Sequence, residues 1–396
     1  MEKVYILGAC RTPIGKMGGA LSTVSAVDLG AAVIREALDR AAIPAEQVDH
    51  VYMGCVLQAA LGQNVARQVS LKAGIPFTAT ALTLNVVCGS GLEAVNAAAR
   101  LIQTGDAEIV VAGGTENMSQ APFAITGGRF GYRMGSPMVN TPLIDTMVND
   151  ALWDAVNDYH MGITAENVAA QWGLSRRELD AFACESQSKA VKAQEAGAFQ
   201  EEIVPVVIPG KKGETVVNTD EGPRPGTTME GLGKLRPAFK PDGIVTAGNS
   251  SGINDGAAAV VLVSERKARE LGLRPQAEWL SSAMAGVDPK IMGIGPVAST
   301  KKLLHKQNMT LDDVSLIELN EAFAAQSIAV KRELAIPPDK LNVNGGAIAL
   351  GHPVGASGCR ILTTLIYAMR RRGAETGLAT LCIGGGMGCS TLIRLI

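Results

Sequence analysis

A cysteine in a glycine-rich turn is the strongest candidate nucleophile of the sequence. Cys88 lies in the segment LNVVCGSGLEAV, where an extended apolar run ends and Gly-Ser-Gly opens a helix. A thiol near a helix N-terminus faces the positive end of the helix dipole, so we expect its pKa to lie below the usual value of about 8.5. A strand-to-helix turn also exposes a nucleophile to a ligand. The alternative is that Cys88 packs as a small apolar residue.

Three further polar residues lie at similar junctions. His352 stands among glycines in GGAIALGHPVGASG, before a predicted helix, and is either a base or a turn residue bonded to backbone. Cys382 ends an apolar strand in LCIGGGMG, where three glycines let backbone N–H groups approach a substrate closely. Asn320, in LNEAFAAQ, is either a helix N-cap or a group that orients a water or stabilises an oxyanion.

Other kinds of site find little support in the sequence. Seven cysteines without a CxxC pair predict neither a disulfide framework nor a zinc site, and indicate a reducing compartment. We expect five of them to be packing residues, namely Cys10, Cys55, Cys184, Cys359 and Cys389. Four scattered histidines without HExxH give no metal site. No GxGxxG opens a helix after the first strand and no GxxxxGK[ST] occurs, so these glycine loops are not nucleotide-phosphate cradles of those kinds.

Composition narrows the function classes further. The 396 residues include 45 glycines and only 4% aromatic residues, so the backbone must approach itself or a ligand closely in many places. An apolar content of 47% is normal for a packed protein. A net charge of −2 argues against a nucleic-acid partner. No apolar run approaches the ~18 residues of a membrane helix and no signal peptide is recognisable, so we expect a cytoplasmic protein without a membrane partner.

Alternating strands and helices must position these side chains. The first third predicts strands at 4–9, 50–56 and 107–112 and helices at 28–41 and 91–104. The last third predicts strands at 257–263, 316–319 and 378–383 and helices from 321 and at 355–372. Each third contains a glycine turn, a small-residue helix and an apolar strand that stops at Gly-Gly. This order indicates an internal duplication of an α/β unit with a parallel or mixed sheet.

The middle of the chain has a different pattern. Residues 126–142 indicate an irregular loop, residues 163–198 a pair of surface helices, and residues 205–241 hairpins and turns. An insertion of this size between two matching halves usually covers a site.

Several motifs in one order resemble those of the thiolases, from VYILGACRTPIG at the start to ATLCIGGGMG near the end. Between them lie LNVVCGSGLEAV, AGGTENMS, HMGITAEN, TAGNSSGINDGAA, NEAFAAQ and GGAIALGHPVGASG. The resemblance covers essentially the whole chain. It implies an α/β fold in which duplicated αβαβα halves form a five-layered αβαβα core with an inserted loop domain. The implied domains are an N-terminal half at 1–118 completed by about 251–271, a loop domain at 119–250, and a C-terminal half at 272–396.

The resemblance also implies a role for each candidate. Cys88 matches the nucleophile that holds an acyl group as a thioester, and His352 matches the base that activates it. Cys382 matches the second acid and base, which removes a proton from the methyl group of a second acetyl-CoA. One oxyanion hole is implied at His352 and a water held by Asn320. A second is implied at the backbone N–H groups of Cys88 and Gly384.

The implied reaction is the reversible condensation of two acetyl-CoA to acetoacetyl-CoA and CoA through an acetyl-Cys88 intermediate, without a cofactor. By resemblance the CoA arm contacts Leu152, His160, Arg224, Phe239, Ala247 and Ser251. Met161 would cap a short acyl pocket, with Met292 and Phe323 near it. Two alternatives remain: a thiolase for longer 3-ketoacyl-CoA chains of fatty-acid β-oxidation, and, less favoured, a CoA-binding protein without turnover.

The family also implies a homo-oligomer, a tetramer built as a dimer of dimers with contacts from the loop at 126–142. Two positions depart from the pattern. Glu93 stands where short-chain relatives often have a basic residue, and an acid there is expected to oppose a lowered Cys88 pKa slightly. Val354 replaces a commoner isoleucine, which we expect to be harmless.

Overall fold

The computed structural model describes residues 2–131, 142–211 and 213–396. Within them the strands are β1 Val4–Arg11, β2 Gly15–Lys16, β3 His50–Gly54, β4 Thr80–Leu84, β5 Ile109–Asn117, β6 Phe123–Ala124, β7 Ile144–Asp145, β8 Trp153–Asp154, β9 Tyr159–His160, β10 Val206–Gly210, β11 Gly213–Val217, β12 Asn254–Ser264, β13 Ala277–Gly286, β14 Leu316–Leu319, β15 Thr376–Ile383 and β16 Met387–Leu395. The α-helices are α1 Ala26–Ala41, α2 Val65–Lys72, α3 Ser90–Gln103, α4 Met161–Gln171, α5 Arg176–Glu195, α6 Met229–Gly233, α7 Glu265–Glu270, α8 Gly295–Gln307, α9 Ala324–Glu333, α10 Ala347–Leu350 and α11 Ser357–Arg372.

The strand order repeats between the two halves of the chain. In the first half β1 pairs antiparallel with β12, β12 antiparallel with β5, and β5 parallel with β3. In the second half β13, β16, β15 and β14 pair in the same order and with the same directions. The two halves join edge to edge through β1 and β13, where Val4 pairs with Trp279. The internal duplication predicted from the sequence is thus confirmed by the strand topology.

Three apolar clusters separate the five layers. One lies between the first half-sheet and the outer helices α1 and α2, and another between the second half-sheet and α8 and α9. The third fills the space between the half-sheets, where α3 packs against α11. Alternate residues of β15 divide between clusters, because Leu381 and Ile383 face the central helices while Cys382 faces the other side. Cys382 lies next to the last residue of β15, a strand that is buried from Gly377 onward.

Glycines let the two central helices approach each other closely. A Cβ on Gly91 of α3 would lie 2.9 Å from the backbone nitrogen of Cys359, and one on Gly358 of α11 would lie 2.3 Å from that of Leu92. Real Cβ atoms essentially never approach so closely, so part of the glycine excess serves this contact.

The remaining predictions hold with shifted boundaries. The helices predicted at 163–198 are α4 and α5, and the predicted hairpins include β10 with β11. The prediction that both helices lie at the surface was wrong for α4, most of whose residues are buried. The helix predicted from residue 321 begins at Ala324 instead, because the segment between β14 and α9 is an irregular turn. Much of the loop at 126–142 lies outside the described residues, and the proposed domain boundaries stay predictions. No helix in the described part of the chain is long and apolar enough to cross a membrane.

Candidate active site

Cys88 occupies a turn between β4 and α3, two residues before the helix begins at Ser90. The N–H groups of Gly384 and of Cys88 itself hydrogen-bond the thiol, which favours the thiolate. Burial outweighs these bonds and raises the pKa of Cys88 to about 11. The expectation of a lowered pKa was therefore wrong, because desolvation by residues distant in sequence exceeds the effect of the helix terminus. In this state the thiol is protonated at neutral pH and needs a base.

The second thiol lies beside the first. Cys382 is fully buried at the end of β15. Its pKa is raised strongly by burial and further by the charge of Cys88. Both thiols are free. Gly384 follows two residues later, which explains how one turn brings an acid–base group and a backbone donor to Cys88.

The three glycines that follow Ile383 are required for different structural reasons. Gly385 and Gly386 both have a φ of 86°, a left-handed conformation that side chains disfavour. A Cβ on Gly386 would lie 2.4 Å from the carbonyl oxygen of Val287. A Cβ on Gly384 would make ordinary contacts, 3.4 Å from Val87 Cγ1 and 3.6 Å from Met161 Sδ. Gly384 therefore keeps open the space between these two side chains.

His352 is held by hydrogen bonds on both its backbone and its ring. Its N–H donates to Asn254 Oδ1 at 2.9 Å, and its Nδ1 lies 2.5 Å from the hydroxyl oxygen of Ser357. Its Nε2 lies 3.4 Å from Asn320 Nδ2. Burial, aided by the positive charge of Arg360, lowers the pKa of His352 to about 3. The imidazole is consequently neutral at physiological pH and able to accept a proton.

Asn320 follows β14 directly and is fully buried. Its backbone N–H donates to the carbonyl oxygen of Thr380 on β15 at 3.0 Å. Its side-chain oxygen Oδ1 has no hydrogen-bond partner among the described residues. A buried amide oxygen without a partner is costly, and a water or substrate group commonly satisfies it. The position fits the predicted role of Asn320 in holding a water.

An apolar cluster surrounds Cys382. It contains three residues predicted for the acyl pocket, Met161, Met292 and Phe323, together with Ile348 of α10. Each is at least nine-tenths buried. These side chains come from the inserted segment and from the C-terminal half, so the pocket lies where the insertion covers the second thiol.

An aromatic row extends from this cluster. The rings of His160 and Phe239 stack with centroids 4.6 Å apart, and Phe239 meets Phe323 edge-on at 6.1 Å. His160 Nδ1 accepts a hydrogen bond from the N–H of Gly162 at 3.0 Å, which fixes the ring at the start of α4. Gly162 permits the stacking, because a Cβ there would lie 2.2 Å from the Phe239 ring.

A cavity of about 370 Å³ lies between the insertion and the second half. Arg224 and Ala247, both predicted CoA contacts, line it together with Asn254 and Gly351. Since Gly351 precedes His352 and Asn254 binds the His352 backbone, the cavity reaches the histidine turn.

The other two predicted CoA contacts, Leu152 and Ser251, do not line this cavity. Leu152 packs in the apolar cluster that includes Val87 and Cys88. Ser251 donates its backbone N–H to Ala322, the residue before Phe323, at 3.0 Å. The described structure thus gathers the predicted site residues around one cavity and its neighbouring apolar clusters.

Comparison with known proteins is consistent with this geometry. Residues 4–266 match the model of the thiolase N-terminal domain, and residues 273–395 match that of the thiolase C-terminal domain. The chain belongs to the thiolase family. It is 57% identical over 397 residues to an acetyl-CoA acetyltransferase of Syntrophomonas wolfei, with both chains covered completely.

Two solved structures superpose closely on the whole chain. A Bacillus anthracis acetyl-CoA acetyltransferase gives a TM-score of 0.97 at 45% identity, with 100% of this chain and 99% of that chain covered. A human mitochondrial 3-ketoacyl-CoA thiolase gives 0.96 at 42% identity, with the same coverage. The family and its fold are therefore established for this chain, as expected from its motifs.

Glu93 stands where the family resemblance led us to expect a basic residue. It forms an ion pair with Arg100 on α3 and lies 3.9 Å from the sulfur of Cys389. The acid that raises the Cys88 pKa further is Glu116. The expected effect of Glu93 on Cys88 stays a prediction. Val354 is buried among apolar neighbours.

Two buried carboxylates that support this thiolase site escaped the sequence analysis. Glu116 accepts hydrogen bonds from the N–H groups of Val56 at 3.0 Å and of Gly355 at 2.8 Å, so it ties the histidine turn to the first half. Glu321 accepts from Ser186 at 2.6 Å and from the Ile348 N–H at 3.2 Å. Both lie in motifs named above, AGGTENMS and NEAFAAQ. In each motif an acidic residue stands between apolar segments, and this was the sequence signal that could have identified it.

Proposed function

We propose that this thiolase is an acetyl-CoA C-acetyltransferase that condenses two acetyl-CoA to acetoacetyl-CoA and CoA, and catalyses the reverse cleavage. The observation that carries the proposal is the pair of backbone N–H groups, from Gly384 and Cys88, that converge on the Cys88 sulfur beside a second thiol. Two donors at a nucleophile are the arrangement that stabilises a tetrahedral oxyanion. A protein that merely binds CoA has no use for it.

The first half-reaction uses His352 as the base. Nε2 accepts the proton of Cys88 as the sulfur attacks the thioester carbonyl carbon of acetyl-CoA. The oxyanion forms within reach of the two N–H groups. The bond from carbon to the CoA sulfur then breaks and the Cys382 thiol gives its proton to that sulfur. The acetyl group stays on Cys88, and His352 keeps the proton that it took from Cys88. His352 is neutral before the transfer, because burial holds its pKa at about 3, and the negative charge that develops on the Cys88 sulfur raises the proton affinity of Nε2 as the proton moves.

The second half-reaction uses Cys382. The Cys382 thiolate takes a proton from the methyl group of the second acetyl-CoA, and the methyl carbon attacks the acetyl carbonyl. A carbon–carbon bond forms, the bond to Cys88 breaks, and His352 returns its proton to the Cys88 sulfur. The raised pKa of Cys382 makes its thiolate strongly basic, as a weakly acidic methyl group requires. Asn320 and a protonated His352 Nε2 are placed to stabilise the enolate oxygen.

Intact mass measurement tests the mechanism. Incubation with acetyl-CoA alone should add one acetyl group to the wild-type chain. Cys88→Ala should abolish the added mass, whereas Cys382→Ala should keep it and lose condensation. A wild-type chain that binds acetyl-CoA without gaining an acetyl group would support the alternative of a CoA-binding protein without turnover.

A longer-chain 3-ketoacyl-CoA thiolase is the second candidate, because the human protein of that name has nearly the same fold. We favour short chains because Met161, Met292 and Phe323 close the space around Cys382. Rates of thiolysis for acetoacetyl-CoA and for six- and eight-carbon substrates distinguish the two. Faster cleavage of the longer substrates would reverse the assignment.

We also propose a cytoplasmic homotetramer, built as a dimer of dimers, that needs no cofactor. In the described part of the chain, β4 ends the strand order, so one of its edges is unpaired. Phe77, just before it, is 80% exposed. Open edges and exposed aromatic rings favour pairing with a second copy. Sedimentation velocity should give a tetramer, and a monomer would contradict this proposal.

A further inference from the structure

Val87 has a backbone conformation that valine strongly disfavours. Its φ is +44°, and among the non-glycine residues with positive φ in the described ranges it alone is β-branched. The others are alanine, asparagine or aspartate, and several of them end helices. A β-branched residue in the left-handed region is strained, and such strain persists only where the surroundings impose it. The residue directly precedes the nucleophile Cys88.

Two side chains impose this conformation. The hydroxyl of Ser90 accepts a hydrogen bond from the Val86 N–H at 2.9 Å and donates to the Val87 carbonyl oxygen at 2.7 Å. Asn85 Oδ1 accepts from the Val87 N–H at 3.0 Å. Ser90 is fully buried, so its hydroxyl has no water to compete for these bonds. Asn85 and Ser90 therefore hold the turn from both ends.

The turn is also fixed against β15. A Cβ on Gly89 would lie 2.5 Å from Ile383 Cδ1, so the turn and the end of β15 are in direct contact. Ile383 precedes Gly384, whose N–H reaches the Cys88 thiol. A relaxed Val87 would rotate the chain at this point and move the sulfur away from that donor.

We propose that Ser90 and Asn85 are positioning residues that hold Val87 in its left-handed conformation and thereby aim the Cys88 sulfur at the Gly384 N–H. Neither residue touches the substrate in this assignment; both act through Val87. The inference rests on the proposed acetylation of Cys88. A small misplacement of a reacting atom typically costs up to ~10²-fold in rate. Removal of the Ser90 or Asn85 hydrogen bonds should therefore lower the rate of acetylation rather than the affinity for CoA.

The test is the single-turnover rate of Cys88 acetylation by acetyl-CoA, followed by mass. Ser90→Ala should lower this rate by ~10²-fold with little change in the KM for acetyl-CoA. Adding Val87→Gly to Ser90→Ala should recover at least tenfold of the loss, because glycine adopts this φ without strain and needs no support. A residue with only a structural role would not be rescued in this way.

Asn85→Ala gives a second measurement, because Asn85 is exposed and its loss should not prevent folding. It should slow acetylation about fivefold, and Val87→Gly should again restore the rate. The control is Ser299→Ala on α8, a buried serine whose hydroxyl likewise donates three residues back, to Pro296, and which should leave the rate unchanged.

Two results would overturn the proposal: single variants within twofold of the wild-type rate, or double variants no faster than the single ones. Failure of the wild type to acetylate would instead contradict the proposed function itself.

Discussion

The Nδ1 atom of His352 lies 2.5 Å from the hydroxyl oxygen of Ser357, and this bond decides which ring nitrogen can act as a base. Ser357 gives its only hydrogen to the carbonyl oxygen of Pro353 at 2.8 Å. Its oxygen must therefore accept the hydrogen of Nδ1. Nε2 is left unprotonated, 3.4 Å from the Asn320 amide nitrogen. The serine thus fixes the tautomer that acetyl transfer requires.

Loss of that hydroxyl should slow catalysis without weakening substrate binding. In Ser357→Ala the imidazole can rotate or adopt the other tautomer, so we expect kcat to fall about tenfold to 100-fold, as for other groups that orient a functional histidine. KM for acetyl-CoA should stay within about twofold, since no substrate contact is removed. Ser357→Thr keeps the hydroxyl and should retain most activity. An unchanged kcat in Ser357→Ala would show that Asn320 alone orients the ring.

The thiol of Cys88 should ionise only at high pH. Burial raises its pKa to about 11, above the ordinary value, so the reactive thiolate fraction grows with rising pH throughout the neutral range. In the free protein, the rate of iodoacetamide alkylation at Cys88 should climb about tenfold per pH unit between pH 7 and 9. Cys88→Ala supplies the background from the other thiols. A plateau near pH 7 would mean a preformed thiolate and would contradict this assignment.

The parts of the fold and site that follow from local patterns were predictable. Each strand and helix of the duplicated order depends on one contiguous segment of the sequence. The same is true of the turns that carry Cys88, His352 and Cys382. The Cys88 pKa was not predictable in this way, because it depends on burial by elements far apart in sequence. Likewise Glu116 joins Gly355 across 239 positions, and no local pattern reports such a bond.

Boundaries also depend on partners outside the segment. Strand β5 was predicted at 107–112 from its apolar run, yet it continues to Asn117. Its last residues, Thr115 to Asn117, pair with β12 in register with Ala257 to Asp255. The polar residues at this end of the strand are therefore stabilised by pairing with β12, which is far from β5 in the sequence. Composition alone placed the end of the strand at Gly113-Gly114.

The buried carboxyl of Glu318 should make stability depend on pH. Burial raises its pKa from 4.5 to about 8, although Arg360, 3.9 Å away, opposes this. The folded state therefore binds a proton that the unfolded state releases above pH 4.5, so this group destabilises the fold as pH rises from about 5 to 8. The contribution changes by at most ~1.4 kcal/mol per pH unit. Above the folded pKa it no longer changes.

Glu318→Gln removes this titration and keeps the shape of the side chain. Urea unfolding at several pH values should give a flatter decline of unfolding free energy from pH 5 to 8 in the variant than in the wild type. The difference between the two proteins is informative because other carboxyl groups titrate alike in both. Parallel curves would show that Glu318 is ionised in the folded state, paired with Arg360.

The stacking of His160 on Phe239 offers a way to test CoA-arm binding separately from chemistry. In Gly162→Ala the new Cβ would meet the Phe239 ring at 2.2 Å, so the ring must move and lose its contact with His160. We expect KM for acetyl-CoA to rise about tenfold, consistent with a loss of ~1.4 kcal/mol of binding free energy. Alkylation of Cys88 by iodoacetamide should keep its wild-type rate, because the Cys88 turn is untouched.

A double variant distinguishes the effect of crowding by the new Cβ from the effect of losing the stacked Phe239 ring. Overpacking of this kind costs about 1–3 kcal/mol of stability, and Gly162→Ala with Phe239→Leu should recover part of it by removing the clash. The KM should stay raised in that double variant, since no ring stacks on His160. Gly233→Ala is the matched control, because its Cβ meets no atom within 4 Å. Recovery of the wild-type KM in the double variant would show that the stacked ring does not support binding of the CoA arm.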